Sequence, residues 1–257
     1  MPDPSFRPEG TTSSAGLQDP PRSSSLPDSR SIRASRVDAA EEQAWNEQQL
    51  AGPVPAPRAR LWMYPEPAVV LGRSQHALLP SLDAGRSRII ERAAGGGAVL
   101  VGPWMLSASV VLPVGHRLLP EGAVADSYRW FGELFVTALA RHGVAAVSVP
   151  RERTWKAPGD LAWACFAGMS PWEVAVGARK LVGFAQRRNR HGVLLAAGAL
   201  LSAVPWERLC EAMRRPAGQA RELAATTIDA AQALGRPLPI ETFAASVGSL
   251  LAEALAS

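Results

Sequence analysis

The stretch from Ser170 to Leu201 constrains the fold more than any other. Ser170–Val176 alternates, with Trp172, Val174 and Val176 on one side, and Gly177–Ala178 suits a two-residue hairpin turn in which glycine takes the positive φ. Arg179–Arg188 then returns as a second strand, and His191–Leu201 reads as a third. Two residues are too few for the crossover that parallel neighbours need, so this part of the sheet is expected to be antiparallel.

Elsewhere the pattern interleaves helices with strands. Val37–Leu50 reads as a helix, with Val37, Ala40, Ala44 and Trp45 able to share a face and Glu41, Glu42 and Glu47 pointing outward. The Gly52–Pro57 stretch stops it. Arg60–Tyr64 and Ala68–Leu71 look like strands around a turn carrying Pro65 and Pro67, and Arg88–Ile90, Ala98–Val101 and Ser107–Leu112 look like further strands. Asp126–His142 has helical spacing through Phe131, Leu134, Phe135, Ala138 and Leu139. Pro205 opens a helix where its missing N–H costs nothing, and the alanine-rich C-terminal third is helical with a break at Gly235–Pro239. The expected fold class is α+β: one domain over residues 37–257, a largely antiparallel sheet flanked by helices. Residues 1–36 are rich in Ser, Pro, Arg and Asp and carry too little apolar surface to offset ordering entropy, so they are expected to form a disordered tail.

Hydrophobic residues make up 47% of the chain, enough for one good-sized core. No apolar run approaches the roughly 20 residues of a membrane span, and the N-terminus lacks the apolar centre of a signal peptide. A cytoplasmic protein with no membrane partner is the expectation. The two cysteines, Cys165 and Cys210, lack zinc-ligand spacing, and His76, His116, His142 and His191 do not pair, so no dedicated metal site is expected. Lys+Arg total 27, yet Lys156 and Lys180 are the only lysines. That bias toward arginine is compositional; the functional alternative is attraction to an acidic partner or to nucleic acid, and no recognised motif supports nucleic acid.

Three constellations are candidates for chemistry, set against plainer readings of the first two as a flexible surface turn and a solvated strand lysine. In Arg92 through Val99, the run Gly95-Gly96-Gly97 lets backbone approach a ligand closely, and Arg92 adds a bidentate donor for a phosphate or carboxylate. In Arg179 through Gln186, strict alternation puts Lys180, Val182, Phe184 and Gln186 on one face, while Gly183 leaves the other open for a ligand. An ammonium beside an apolar groove suits an acyl carbonyl or a mixed anhydride. Replacing Lys180 by alanine is therefore expected to remove activity and spare the fold. Cys165, in Ala164-Cys165-Phe166, reads either as a thiolate acyl acceptor or as a small buried hydrophobe. Cys210, on a helical face with Trp206, Leu209 and Met213, reads as core.

Together these segments resemble the lipoate–protein ligase family. Leu61-Trp62-Met63-Tyr64 followed by Val69 through Gln75 is similar to its early strand pair, ending in Gly72-Arg73-Ser74-Gln75. Arg92 through Val99 is similar to its Arg-x-x-Gly-Gly-Gly-Ala-Val loop, and Arg179 through Gln186 to the signature around its lysine. The resemblance implies a catalytic domain of the biotin/lipoate ligase type. It implies a lipoyl or octanoyl group passed to a lysine of an acceptor domain through an acyl-adenylate, with ATP and Mg²⁺ as co-substrates. Lys180 would hold the acyl carbonyl. Arg92, Gly95, Gly96, Gly97, Ala98 and Gly183 would line the acyl and adenylate site, with Gln186 in the same signature and Arg73 and Gln75 closing it. Some related octanoyltransferases carry a Cys-Phe nucleophile about as far before the lysine as Cys165 stands before Lys180, which implies a second reading: octanoyl transfer from an acyl carrier protein without ATP. A non-catalytic member that binds an acyl carrier is a third. Where the family has histidines, this chain has Val101 and the pair Ala197-Gly198. Many ligases carry a separate accessory domain, so a separate accessory chain is a further candidate partner.

Overall fold

The computed structural model describes residues 31–82, 87–122 and 124–256. Among these described residues, ten strands form two sheets. The larger runs β1 (Ala34–Arg36), β2 (Arg58–Met63), β6 (Met105–Leu112), β10 (Val193–Leu200), β9 (Arg179–Arg188), β8 (Val174–Val176) and β7 (Val147–Ser148) in that spatial order. Every pairing in it is antiparallel except β1 with β2. The smaller sheet runs β4 (Arg88–Glu91), β3 (Ala68–Leu71) and β5 (Val99–Val101), with β3 parallel to β4 and antiparallel to β5.

Helices α2 (Arg129–Ala140) and α6 (Ile240–Ala256) cover one face of the large sheet. Phe131, Phe135 and Phe243 pack there against Leu61, Val110 and Leu195. On the other face lie the small sheet and helices α1 (Ala39–Gln49), α3 (Trp206–Ala212) and α4 (Gly218–Thr226), with Trp62, Leu71, Leu100, Met105, Leu209 and Leu223 in a second core. A cavity opens between the two sheets. A short helix, α5 (Ala230–Leu234), ends at Gly235, whose φ of 67° gives the expected break before α6.

Three local expectations are corrected. The tail expected over residues 1–36 falls outside the described residues up to 30, but its last part is structured. Ala34–Arg36 pairs with Leu61–Met63, and Ile32 N–H reaches the Gly248 carbonyl of α6. The strand expected from Ser170 begins only at Val174. Trp172 has φ 69°; its N–H donates to Val149 O, its carbonyl accepts the Ser148 hydroxyl, and its indole N–H donates to Asp126. The helix expected from Asp126 starts as a 3₁₀ turn, Val124–Tyr128, and becomes α-helical at Arg129.

Candidate active site

The hairpin at Gly177–Ala178 is the two-residue turn read from the sequence, with Val176 opposite Arg179 and Gly177 at φ 61°. Alternation fails just beyond it. Ala175 faces Lys180 while Val174 faces Val182, so Leu181 is an extra residue in β9. Such a bulge reverses the side on which the preceding residue points. Leu181 and Val182 both enter the core under α2 and α6. Lys180 points the other way, to the same Phe166 ring that lies against Gly183. Lys180 therefore does not share a face with Phe184 and Gln186.

Nor does Lys180 sit open beside a groove. It is 2% exposed. Its Nζ lies 2.8 Å from Glu173 Oε2 and donates to the backbone carbonyl of Cys165 at 2.9 Å. Glu173, equally buried, also accepts the N–H groups of Ser170 and Phe184 at 2.7 and 3.1 Å. Three backbone groups thus converge on one ion pair that staples the Cys165–Glu173 loop to β9. Glu173 went unnoticed in the sequence. Its signal is a lone carboxylate seven residues ahead of a lone lysine, across a hairpin.

Cys165 is held from both sides. Its N–H donates to Ala98 O at 2.9 Å, and Ala98 N–H donates to Trp163 O at 2.8 Å. The glycine loop and the cysteine loop are therefore one paired unit. Gln75, 7% exposed, adds its Nε2 to the same Trp163 carbonyl at 2.8 Å. Arg92, 8% exposed, threads back under the loop: its Nη2 donates to Gly95 O at 3.0 Å and Gly97 O at 2.8 Å, and lies 3.9 Å from Cys165 Sγ.

The half-buried sulfur lines a cavity between the sheets. Val70, Val99 and Val101 form its small-sheet wall, and Met105, Leu194, Ala196 and Gly198 its large-sheet wall. Val101 and Ala197-Gly198, where the resembling family has histidines, are part of this apolar lining. Arg92, Cys165 and Gly183 of the expected site residues line the cavity. Gly96, Gly97, Ala98 and Gln75 brace the cysteine loop from behind, and Gly95 has open space around it. Arg73 lies in an adjoining groove with His76 and Glu47, and Ala93 and Arg187 line both that groove and the cavity. Gln186 is not brought to the cavity: its amide bonds Val124 O on the other side of the sheet.

One wall of the cavity is polar. Ala39, Glu42 and Asn46 are the buried stripe of α1, so Glu42 points inward, not outward as expected. Its carboxylate takes the Tyr64 hydroxyl. Burial raises its pKa above the usual glutamate range, opposed by that hydroxyl, by the Arg92 charge and by the Asn46 amide. The stripe was missed because the inward positions of α1 carry polar residues, which periodicity assigns to solvent.

The Lipoyl protein ligase A/B catalytic domain family matches residues 38–250. The octanoyltransferase LipM of Symbiobacterium thermophilum is 33% identical over 198 residues, covering 73% of this chain and 70% of its own. That of Kyrpidia tusciae is 31% identical over 215 residues, covering 79% and 77%. Among solved structures, lipoate-protein ligase A bound with ATP shares the fold at TM-score 0.63 and 17% identity, over 88% of this chain and 85% of that one. The bi-partite lipoate protein ligase of Thermoplasma acidophilum does so at TM-score 0.64 and 17% identity, over 88% and 83%. The chain belongs to the lipoyl protein ligase A/B catalytic domain family. It is an acyl-transferring enzyme with the α+β fold of the biotin/lipoate ligase type. Among its described residues, no helix is long and apolar enough to cross a membrane.

Proposed function

We propose that this enzyme transfers an octanoyl group to a lysine of an acceptor domain through a thioester on Cys165. The observation that carries the reading is the placement of Cys165: its sulfur opens into an apolar cavity while both of its backbone polar groups are clamped. The octanoyltransferase names of relatives at 33% and 31% identity support the same choice. The Cys165 sulfur attacks the carbonyl of an octanoyl thioester on an acyl carrier. A carbon–sulfur bond forms, the carrier's thiol leaves, and it takes up the proton that Cys165 gives away. The acceptor lysine's amine then attacks the Cys165 thioester: a carbon–nitrogen bond forms, the acyl carbon–sulfur bond breaks, and the amine's proton goes to the departing Cys165 sulfur. The slot between the sheets holds the alkyl chain. Arg92 offers its guanidinium to the sulfur, and Lys180 with Glu173 keeps the Cys165 backbone in place. Arg187, half-buried where cavity and groove meet, with exposed Arg190 close by in sequence, faces the approach of an acidic carrier or acceptor.

The adenylate route, with lipoate, ATP and Mg²⁺, rests on fold likeness at 17% identity. One experiment separates the two. Incubated with octanoyl-carrier and no ATP, the protein is expected to gain the mass of one octanoyl group, lost on hydroxylamine treatment, and Cys165→Ala is expected to gain none. Turnover by Cys165→Ala that depends on ATP and free acid would establish the ligase route instead.

A further inference from the structure

We infer that helix α4 is a strut that fixes the position of Cys165, with Gln219 as a positioning residue for the nucleophile. The inference rests on the Cys165 reading above. Gln219 stands in the first turn of α4 and is 8% exposed. Both ends of its amide go to the cysteine loop. Its Oε1 accepts the indole N–H of Trp163 at 2.9 Å, and its Nε2 donates to Asp160 O at 3.1 Å. An indole offers only a donor and a carbonyl only an acceptor, so a single orientation of the amide serves both. Trp163 is the residue whose carbonyl collects Ala98 N–H and Gln75 Nε2, two places before the sulfur. Gln219 therefore grips by its side chain the residue that the glycine loop grips by its backbone.

Backbone strain leads to the same contact. Arg214 has φ 50° although it is not a glycine. It closes α3, with its own N–H on Glu211 O at 3.0 Å and the Arg215 N–H on Cys210 O at 2.8 Å. Such a left-handed residue after a helix is ordinary for glycine and strained for arginine. The turn sets the Arg215 guanidinium over the Trp163 ring, 5.4 Å from its centre. The far end of α4 reaches the other side of the cysteine. Ile228 N–H, two residues past the helix, donates to Lys180 O at 3.0 Å, and Thr227 bridges Lys180 in parallel. Lys180 is the residue whose ammonium holds the Cys165 carbonyl. Nine residues at about 1.5 Å each make α4 about 13 Å long, so one helix links Trp163, ahead of the sulfur, to Lys180, which holds the carbonyl behind it. Packing of α4 itself does not call for an amide at 219, since Ala220 and Leu223, 2% and 0% exposed, seat the helix in the core.

The test follows acylation of Cys165 on the full chain by intact mass, with an octanoylated acyl carrier protein as donor over a range of concentrations. Gln219→Met keeps the length of the side chain and removes both bonds. It is expected to slow the saturating acylation rate on the order of 10- to 100-fold, as misplacing a nucleophile does. The half-saturating donor concentration is expected to stay within about threefold of the parent's. The end point is expected to remain one octanoyl group per chain, so that rate per site falls and not the folded fraction. Adding Trp163→Phe removes the other partner of the indole bond, and solvent serves the carbonyl of exposed Asp160. Removing both partners relieves the orphaned donor, so thermal unfolding of the double variant is expected to return toward the parent's while acylation stays slow. A rate that recovers together with stability would assign Gln219 to the fold alone and overturn the inference. So would an unchanged rate in folded Gln219→Met, or a loss confined to half-saturation. Should Gln219→Met not fold, the double variant, with no orphaned indole, carries the same comparison of rate with stability. A parent chain that gains no octanoyl adduct would remove the Cys165 reading and the inference with it, whereas a parent that acylates no faster than its folded variants would remove the inference alone.

Discussion

The three consecutive glycines make a graded experiment, because a methyl group added at each meets something different. At Gly95 it meets nothing within 4 Å. At Gly96 it meets Arg92 Nη2 at 2.9 Å, on a backbone with φ of 97°. At Gly97 it would lie 2.4 Å from Trp163 O, with the carbonyl carbons of Trp163 and Ala164 at 2.8 and 2.9 Å. Gly95→Ala is therefore expected to stay within about 0.5 kcal/mol of the parent. Gly96→Ala is expected to lose about 1–3 kcal/mol to backbone strain. It also displaces the guanidinium next to the thiol, so its effect on rate should exceed its effect on stability.

Gly97→Ala has no flexible neighbour to push. Carbon and oxygen settle near about 3.3 Å, so the cysteine loop must retreat by on the order of 1 Å. That breaks the bonds of Ala98 N–H and Gln75 Nε2 to Trp163 O and strains that of Cys165 N–H to Ala98 O. At about 0.5–1.5 kcal/mol each, three such bonds amount to about 2–4 kcal/mol. For a chain of this size that is about 4–16 °C in Tm. A nucleophile misplaced by that distance costs on the order of 10²-fold in rate. Thermal unfolding with acylation kinetics on the three single variants tests the order. If Gly95→Ala proves as damaging as Gly97→Ala, the pairing of the two loops is not what sets the position of Cys165.

The buried ion pair predicts coupling. Lys180→Met leaves Glu173 charged and unpaired, a loss of about 3–5 kcal/mol; adding Glu173→Gln is expected to restore part of it, and additive losses in urea denaturation would contradict the geometry. The expectation that Lys180→Ala spares the fold does not survive its burial. Glu42 predicts a pH dependence. Its folded-state pKa is raised, so the folded chain holds this proton more tightly than the unfolded chain does. Stability from this group is full below the ordinary glutamate value of 4.5 and falls as pH rises through the window up to the raised value. Glu42→Gln lacks that loss, so its stability relative to the parent is expected to improve from acid to neutral pH; a pH-independent difference in urea midpoints would show that Glu42 does not titrate this way.

How far the sequence was legible follows from which rule each segment obeys. The hairpin, the apolar runs of β3, β5 and β6, and the break at Gly235 obey local rules of turn chemistry and periodicity, and they were readable to within a few residues. Cys165, Arg92 and Gly183, which the fold brings to the cavity wall, stood out in the sequence because a cysteine, an arginine three residues ahead of a glycine run and a strand glycine are each unusual where they stand. The register shift at Leu181 was not. Strict alternation is the only prior a single strand offers, and the extra residue exists because β8 is pinned elsewhere by Glu173 and Trp172. One unit of slip moved Lys180 to the cysteine's side and left Gln186 on the other. Glu42 and Asn46 were unreadable for the opposite reason: α1 is so polar that its inward stripe differs from its outward face only in what the small sheet and Tyr64 bring against it.

The segment bearing Cys165 belongs to neither sheet, yet it is bonded to both. Ala98, at the entrance of β5, takes its N–H, and Lys180, on β9, takes its carbonyl. The distance between the sheets therefore sets two things at once: the width of the apolar slot and the position of the sulfur at its polar end. An acyl chain that wedges the sheets apart would pull on both bonds, whereas one that fits leaves the thiol where Arg92 meets it. On the proposed Cys165 route, selection for chain length and alignment for attack are one property of the interface between the sheets, and substitutions at cavity-lining Val70 or Met105 are expected to change the acylation rate.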